Sequence, residues 1–399
     1  MTATGSLRAY TQDIGKGNEM SCPICKNNKK KILYKLCDNM KIMGTNFPDS
    51  ASFIAKCTCC GLLYMDTMAT QEDFLAYYKY GAAAPKYYDM FGKEDTDDYY
   101  RHLCKLMEPY IDRHSRILDI AGAWGEFAAY MKALGYEDIT DLDPAEKCIA
   151  YAGEHGVKTL MTDSTDMRGI REKSFDLVIL NHSLEHILDV ESTMMNIGRA
   201  LKDKGCLFIE IPDVEGYAGE EAAPFNFLTY EHVLHMSMND IDNLAGIYGY
   251  EIIDRGKYYK KVSNYPSIYA VMKKGGKREI TYSGVSETSM LRYLEKSKKS
   301  LEEFLAPLRQ SGEELILWGI GASTAILIDS FKGCNVKELI DRNPGRQGLK
   351  FSINEKQYVV KEPEEVGRGT IVILSIPYHD SIERQIRQMG YGNKIVALK

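Results

Sequence analysis

Arg116-Ile-Leu-Asp-Ile-Ala-Gly-Ala-Trp-Gly-Glu-Phe127 decides how this chain is read. Ile117 to Ile120, apolar on either side of Asp119, has the length of a short buried strand. The run leads into a turn carrying Gly122 and Gly125, and Glu126 to Leu134 then reads as a helix. Strand, glycine-bearing turn and helix N-terminus together make a nucleotide-binding corner. Glycine lets backbone approach a ligand closely, and the first N–H groups of a helix are unpaired. Farther on, Asp138-Ile-Thr-Asp-Leu-Asp-Pro144 reads as the second strand, ending in an acid. A carboxylate at that point, Asp143, is placed to accept both ribose hydroxyls of an adenosine-containing cofactor.

The turn itself chooses between cofactors. A dinucleotide fingerprint needs three glycines around a pyrophosphate, but here Ala121 stands at the first glycine position and the bulky Trp124 sits inside the turn. S-adenosylmethionine carries no phosphates and tolerates a single close-approach glycine. The pattern I-L-D-I-x-G-x-x-G resembles the first motif of class I methyltransferases. It implies S-adenosylmethionine held around Asp119, Ala121, Gly122, Gly125 and Asp143. The competing reading is a structural turn in some other α/β protein.

Outward from this corner, 399 residues leave room for two or three domains. A 44% hydrophobic and 27% charged composition is that of an ordinary soluble protein. The formal charge of −6 gives no reason to expect nucleic acid. No apolar run approaches the roughly 18 residues of a membrane span, and Met1 to Asn18 is too polar for a signal peptide. Ten cysteines without an export signal point to a reducing, cytoplasmic setting in which metal binding is favoured over disulfides.

Residues 1–19 read as a flexible tail. Residues 20–66 open with Cys22-Pro-Ile-Cys25 and close with Cys57-Thr-Cys-Cys60-Gly61. Two C-x-x-C knuckles place four thiolates around Zn²⁺, with Cys22, Cys25, Cys57 and Cys60 as ligands. Cys59 is left spare and Cys37 is an outside candidate. Four thiolates leave no open position, so the zinc is expected to be structural. Residues 67–112 form a helical, tyrosine-rich connector broken at Ala82-Ala-Ala-Pro85.

The methyltransferase-like unit is expected over 113–274. Val157 to Thr162 gives a third strand, followed by Asp163, where an acid would meet the adenine amino group. Phe175 to Leu180 is a fully buried strand running into Asn181-His-Ser-Leu-Glu-His186. Ligands of open α/β sheets collect at such strand ends, which makes Asn181 a cofactor candidate and His182 a substrate candidate. Gly205 to Pro212 is the next strand, and Tyr250–Asp254 with Ser267–Met272 supplies a closing antiparallel pair. Phe227-Leu-Thr-Tyr-Glu-His-Val-Leu-His-Met-Ser237 brings Glu231, His232 and His235 within five positions. Zinc ligation by these three lacks a further ligand nearby. General acid–base work suits them better, because histidine titrates near neutrality and a neighbouring carboxylate orients its ring.

Residues 275–310 read as a polar, solvated helical linker. From 311 to 399 the strand–turn–helix pattern returns, with Trp318-Gly-Ile-Gly-Ala, Val336–Asp341, Thr370–Ile376 and Lys394–Leu398, and predicts a second, smaller parallel α/β domain. Gly319-x-Gly321 alone is weak evidence for phosphate binding.

The order of paired knuckles, methyltransferase corner and the C-terminal Trp318-Gly-Ile-Gly-Ala with Asp341-Arg-Asn-Pro-Gly-Arg-Gln-Gly348 resembles the three-domain sugar C-methyltransferases, from about residue 20 to the end. That resemblance implies a zinc-binding N-terminal domain, a class I methyltransferase Rossmann-like domain, and a C-terminal Rossmann-like domain that helps hold a nucleotide-linked sugar. In that family a Tyr-His-Glu-His segment is catalytic, its last histidine being the base. Glu231 and His232 match its last two positions, while Tyr230 and Thr229 replace the first histidine and the tyrosine. His186 matches the family's histidine after the fourth strand. Tyr77-Tyr-Lys-Tyr80-Gly stands where the family has Tyr-Pro-Tyr-x-Ser-Ser, and Leu349-Lys-Phe-Ser-Ile replaces a Pro-Gly run. Substrate contacts are therefore expected from Tyr80, His182, His235 and Asn343.

The expected reaction is carbon methylation of a nucleotide-linked keto-deoxysugar. His232 removes a proton α to the ketone, Glu231 orients it, and His186 and Tyr230 meet the enolate oxygen. The alternatives are O- or N-methylation of a sugar or tailoring substrate, and a non-catalytic nucleotide-sugar-binding protein. Oligomeric state is left open.

Overall fold

A computed structural model describes residues 17–40, 47–80, 86–219, 224–262, 265–320, 327–375 and 379–398. Gly321, the Ala82–Pro85 break and most of the N-terminal tail lie outside the described residues. Three sheets organise the chain.

The first sheet contains β1 (Lys30–Cys37), β2 (Ser52–Cys57) and β3 (Leu63–Asp66), all antiparallel. Its fourth strand comes from far along the sequence. β9 (Leu234–His235) pairs with β3, with Leu63 opposite His235 and Tyr64 opposite Leu234. The histidine-bearing segment is thus a rung of the N-terminal sheet.

The central sheet has β4 (Arg116–Ile120), β5 (Asp138–Leu142), β6 (Lys158–Leu160), β7 (Phe175–Asn181), β8 (Leu201–Pro212), β10 (Tyr250–Lys260) and β11 (Tyr265–Lys274). The spatial order is β10-β11-β8-β7-β4-β5-β6. The β4–β8 strands run parallel, and β11 is antiparallel to β8 and hairpin-paired with β10. The expected closing pair is present and longer than expected. The order reverses at β4, which puts the carboxyl ends of β4 and β7 beside the crevice where such sheets bind ligands.

Alternation along the strands buries both faces. Ile117, Leu177, Ile179, Phe208 and Val271 join Tyr99, Leu103, Phe127 and Met131 in one core. Leu118, Val178, Leu180, Ile209 and Met272 face the other core, with Val190, Met194, Ile197 and Leu244. The helices supplying these residues are α3 (Lys93–Met107) and α4 (Glu126–Ala133) on the first face, α6 (Val190–Ala200) and α7 (Met238–Tyr248) on the second. α5 (Glu146–Glu154) packs at the β5–β6 edge. Ahead of them, α1 (Gln71–Tyr80) and α2 (Tyr87–Phe91) occupy the tyrosine-rich connector.

The stretch read as a solvated linker is corrected by the structure. α8 (Val285–Ser311) buries Met290, Tyr293, Leu294, Ser297, Leu301, Leu305 and Leu308 along one face. The stripe recurs every three or four residues among many lysines and glutamates, so it is legible as periodicity though not as an apolar run. Tyr293 is completely buried, and its hydroxyl accepts the Phe227 N–H at 2.9 Å.

The C-terminal sheet contains β12 (Leu315–Trp318), β13 (Val336–Ile340), β14 (Lys350–Ile353), β15 (Lys356–Lys361), β16 (Thr370–Ile373) and β17 (Ile395–Ala397) in the order β14-β15-β13-β12-β16-β17. Its core strands are parallel, as the alternation predicts. The Leu349–Ile353 stretch, expected as loop, instead enters an antiparallel hairpin, β14 with β15. α9 (His379–Gln388) packs on β16. No helix among the described residues is long and apolar enough to cross a membrane.

Candidate active site

The corner after β4 is built by three residues with left-handed backbone. Ala121 (φ 56°), Ala123 (φ 50°) and Gly125 (φ 63°) fold the turn back, and alanine in that region costs roughly 1–2 kcal/mol each. Strain of this kind persists where the surroundings impose it. Ala121 donates its N–H to the Leu142 carbonyl at 2.7 Å, and Ala123 donates to Asp143 Oδ2 at 3.1 Å. Gly122 has a steric reason: a Cβ there would lie 2.4 Å from Asp141 Oδ1 and 2.9 Å from Asp119 Oδ2.

Three carboxylates meet beneath this turn. Asp119 on β4 pairs in register with Asp141 on β5, and Asp143 follows two residues later. Asp143 has both oxygens engaged by backbone, Oδ1 accepting Ala145 N–H at 2.8 Å and Oδ2 accepting Ala123 N–H. Burial nevertheless pushes its pKa up to about 6. Asp141 is completely buried, and neither oxygen has a well-formed hydrogen bond among the described residues. Burial, then Asp119 and Asp143, raises its pKa well above the carboxylate range. Asp119 is raised by burial and by Asp143. The sequence reading placed the ribose acid at Asp143. In the structure that side chain also holds the turn, with one lone pair left on each oxygen, while both Asp141 oxygens lie buried without a partner among the described residues. Glu126, at the start of α4, accepts the Tyr87 N–H at 2.7 Å and so holds α2 against the corner.

The remaining cofactor candidates divide. Asn181 ends β7, and its Oδ1 accepts the Tyr99 hydroxyl at 3.0 Å. Asp163 Oδ1 accepts the Thr165 N–H at 2.7 Å, closing a local turn.

Beyond β7, two loops converge on a cluster of histidines. His186 and His232 rings stand edge to face at 4.9 Å, and His232 and His235 are 6.5 Å apart. His186 Nδ1 lies 2.9 Å from the Glu231 carbonyl and 3.0 Å from the Tyr78 hydroxyl. A carbonyl only accepts, so His186 Nδ1 carries a proton, and its Nε2 lies 4.0 Å from Glu185 Oε1. Burial, then the neighbouring histidines, holds His232 well below the ordinary imidazole value, so it is neutral at pH 7. His235 is lowered by burial to about 4, and its Nδ1 sits 3.2 Å from the Tyr217 hydroxyl.

His182 anchors a second layer. Its φ of 48° is left-handed, and its two ring nitrogens face Glu185 Oε1 at 3.2 Å and Glu210 Oε1 at 3.0 Å. Carboxylates on both sides require both ring nitrogens to donate. Burial and Lys260 act against the charge, but the bonds to Glu185 and Glu210 prevail and the pKa is raised. Glu210 is completely buried and also accepts the Tyr258 hydroxyl at 2.6 Å.

Several sequence expectations are not met in this geometry. Glu231 does not orient His232, because its carboxylate accepts the Tyr77 hydroxyl at 2.5 Å instead. Tyr230 is completely buried on the far side, with its hydroxyl 3.4 Å from the Leu36 carbonyl of β1, away from any enolate position. Tyr80 is 77% exposed. Helical spacing from the buried Phe74 carries Tyr77, not Tyr80, to the site. Asn343 is exposed and closes its own loop, accepting the Gly345 N–H at 3.0 Å. From the same loop, Arg346 reaches the Tyr77 hydroxyl at 3.3 Å. Tyr77, Tyr78, Glu185, Glu210 and Arg346 are thus site residues that the motifs did not single out.

The knuckle cysteines converge as expected. Cys22, Cys25, Cys57 and Cys60 sulfurs all lie within 4.8 Å of one another, with Cys22–Cys60 at 3.7 Å and Cys25–Cys57 at 3.4 Å. Tetrahedral zinc–thiolate geometry places sulfurs about 3.8 Å apart. Cys59 is exposed, and Cys37 lies beside Ser52 at 3.2 Å.

Residues 93–254 match the family described as Methyltransferase domain. Two curated relatives, ubiquinone biosynthesis O-methyltransferases from two strains of Rickettsia bellii, are each 29% identical over 97 residues. That alignment covers 23% of this chain and spans 40% of the length of each relative. Among solved structures, the 1,6-didemethyltoxoflavin-N1-methyltransferase of Burkholderia thailandensis is 14% identical, with a TM-score of 0.39, covering 55% of this chain and 97% of that one. An S-adenosylmethionine-dependent methyltransferase from Clostridium acetobutylicum is 15% identical, with a TM-score of 0.36, covering 46% and 92%. The strand order, the strained glycine-bearing corner and the match to a methyltransferase domain all fall on the same segment, the centre of this chain.

Proposed function

We propose that the protein transfers the methyl group of S-adenosylmethionine to a carbon α to the ketone of a nucleotide-linked keto-deoxysugar. The observation that carries this reading is the buried, neutral His232, set edge to face against His186 beside the carboxyl end of β7. An uncharged imidazole in a dry site can take the proton of a carbon acid, and the buried His232 is such a base. The Asp141 carboxylate takes the ribose hydroxyls, with Asp119, Ala121, Gly122 and Gly125 shaping the corner around the cofactor. His232 accepts the proton, and the C–H electron pair passes into the enolate. The carbon then attacks the sulfonium methyl, and S-adenosylhomocysteine leaves. Holding donor and acceptor in line supplies much of the rate.

Zinc bound by Cys22, Cys25, Cys57 and Cys60 would be structural, since four thiolates complete its coordination. The C-terminal sheet, whose Arg346 touches the site, would hold the nucleotide end of the substrate.

Solvent exchange tests the reaction class. With S-adenosylhomocysteine bound, the protein should wash deuterium from D2O into the α-carbon of a nucleotide-linked 4-keto-6-deoxysugar. Methyl transfer without any such exchange would favour O-methylation, the activity named for the Rickettsia bellii relatives. His232→Ala should retain S-adenosylhomocysteine binding and lose turnover by roughly 10²-fold or more. Near-normal turnover would remove His232 from the mechanism.

A further inference from the structure

Glu231, the carboxylate adjacent to the proposed base in sequence, is turned to Tyr77. Another carboxylate, Glu185, stands in the same cluster as His232. Glu185 is 1% exposed and His232 8% exposed. One ligand atom each from Glu185, His186 and His232 can be chosen so that all three lie within 4.8 Å of one another. Two buried atoms in this cluster have no hydrogen-bond partner among the described residues: Glu185 Oε2 and His232 Nδ1. Buried polar atoms are nearly always paired, so an orphaned acceptor and an orphaned ring nitrogen in one cluster mark an interaction completed by a small closure or by one water.

Backbone and side chain both hold Glu185 there. Its carbonyl accepts the Val233 N–H at 2.7 Å, tying the loop after β7 to the residue that follows His232. Its other oxygen, Oε1, accepts from His182, which is held in turn by Glu210. The His182 backbone N–H is also fixed, donating to the Glu210 carbonyl at 2.8 Å.

We propose that Glu185 is the positioning carboxylate of the base. It holds a proton on His232 Nδ1, so that Nε2 is the nitrogen presented to substrate, and it stabilises the imidazolium once the substrate proton has arrived. The assignment rests on the base role proposed for His232. Other titratable groups facing that ring are His186, His235 and, farther away, His182; none of these is an anion.

The test uses full-length protein with S-adenosylhomocysteine bound, ¹⁵N-labelled at histidine, with the His232 signals assigned by their loss in His232→Ala. Wild type should show a protonated Nδ1 on His232. Glu185→Leu should shift that ring toward the tautomer with a bare Nδ1, and Glu185→Asp should restore it. Should Glu185→Leu fail to fold, the isosteric Glu185→Gln is read instead, by a lowered His232 titration point. Deuterium exchange into the keto-sugar should fall about 10- to 100-fold in Glu185→Gln, with S-adenosylhomocysteine affinity unchanged. An unaltered His232 tautomer and titration in every Glu185 variant would overturn the proposal. A wild type that exchanges no deuterium but shows the Glu185-dependent tautomer would instead sink the sugar reading and leave Glu185 in place.

Discussion

At the residue scale, Asp141 works against the stability of the cofactor-free protein. It is buried beside Asp119 and Asp143, and ionising it costs folding free energy. For an acid whose folded pKa is raised, stability is present below the unfolded pKa and is lost as pH rises through the folded value. Asp141→Asn should therefore raise the melting temperature of the cofactor-free protein at pH 8 by a few degrees, roughly 1 kcal/mol or more. The same change should weaken S-adenosylhomocysteine binding about 10- to 100-fold, the scale of a buried hydrogen bond left without its partner. Calorimetric melting and titration of the two proteins check both halves. A variant that binds normally would remove Asp141 from the ribose site. The pattern Asp141-Leu-Asp143 did not reveal which acid was available. Both side chains lie on one face of β5, and turn hydrogen bonds from Ala123 and Ala145 decide the matter. Glu185 was hidden for a similar reason: the short turn Leu184–His186 swings neighbouring side chains into the same cluster, a geometry that no spacing rule records.

At the element scale, the cysteine knuckles and the histidine segment form one unit. Cys57 ends β2, Cys60 leads into β3, and β3 pairs with β9 at His235. Chelating the proposed zinc should loosen this sheet and carry the His232–His235 segment with it. The expected outcome is loss of methyl transfer by at least tenfold, while S-adenosylhomocysteine affinity changes little because β4 and β5 lie in another sheet. Metal analysis alongside both measurements decides it, and full activity in the metal-free protein would refute the coupling. Strands β4, β7 and β8 of the central sheet and the core strands of the C-terminal one were legible because parallel strands are buried on both faces and read as apolar runs. β9 was not: two residues carry no periodicity, and their partner lies about 170 positions away. The α8 stripe was readable as a 3.6-residue period, but its lysines and glutamates masked it.

At the scale of the whole molecule, charge is sorted by depth. A cationic His182 sits between Glu185 and Glu210, while His232 and His235 are kept neutral close by. His235 ordinarily titrates near 6.5 and here near 4. The unfolded chain takes up its proton first, so this contribution is fully present above about 6.5 and is lost as pH falls toward 4. Its size is of the order of 1–3 kcal/mol. His235→Gln should flatten that part of the stability curve, measured by denaturant unfolding across pH 4–7, and an unchanged slope would contradict the assignment. Arg346, Tyr77 and Glu231 link the C-terminal loop, α1 and the histidine segment side chain to side chain. With β9 lent to the first sheet, this chain of contacts means that the protein cannot be trimmed into interchangeable modules. A polypeptide cut down to residues 113–274 would lose α3, which fills one face of the central sheet, the α2 contact that braces the corner, and the strand on which β9 pairs.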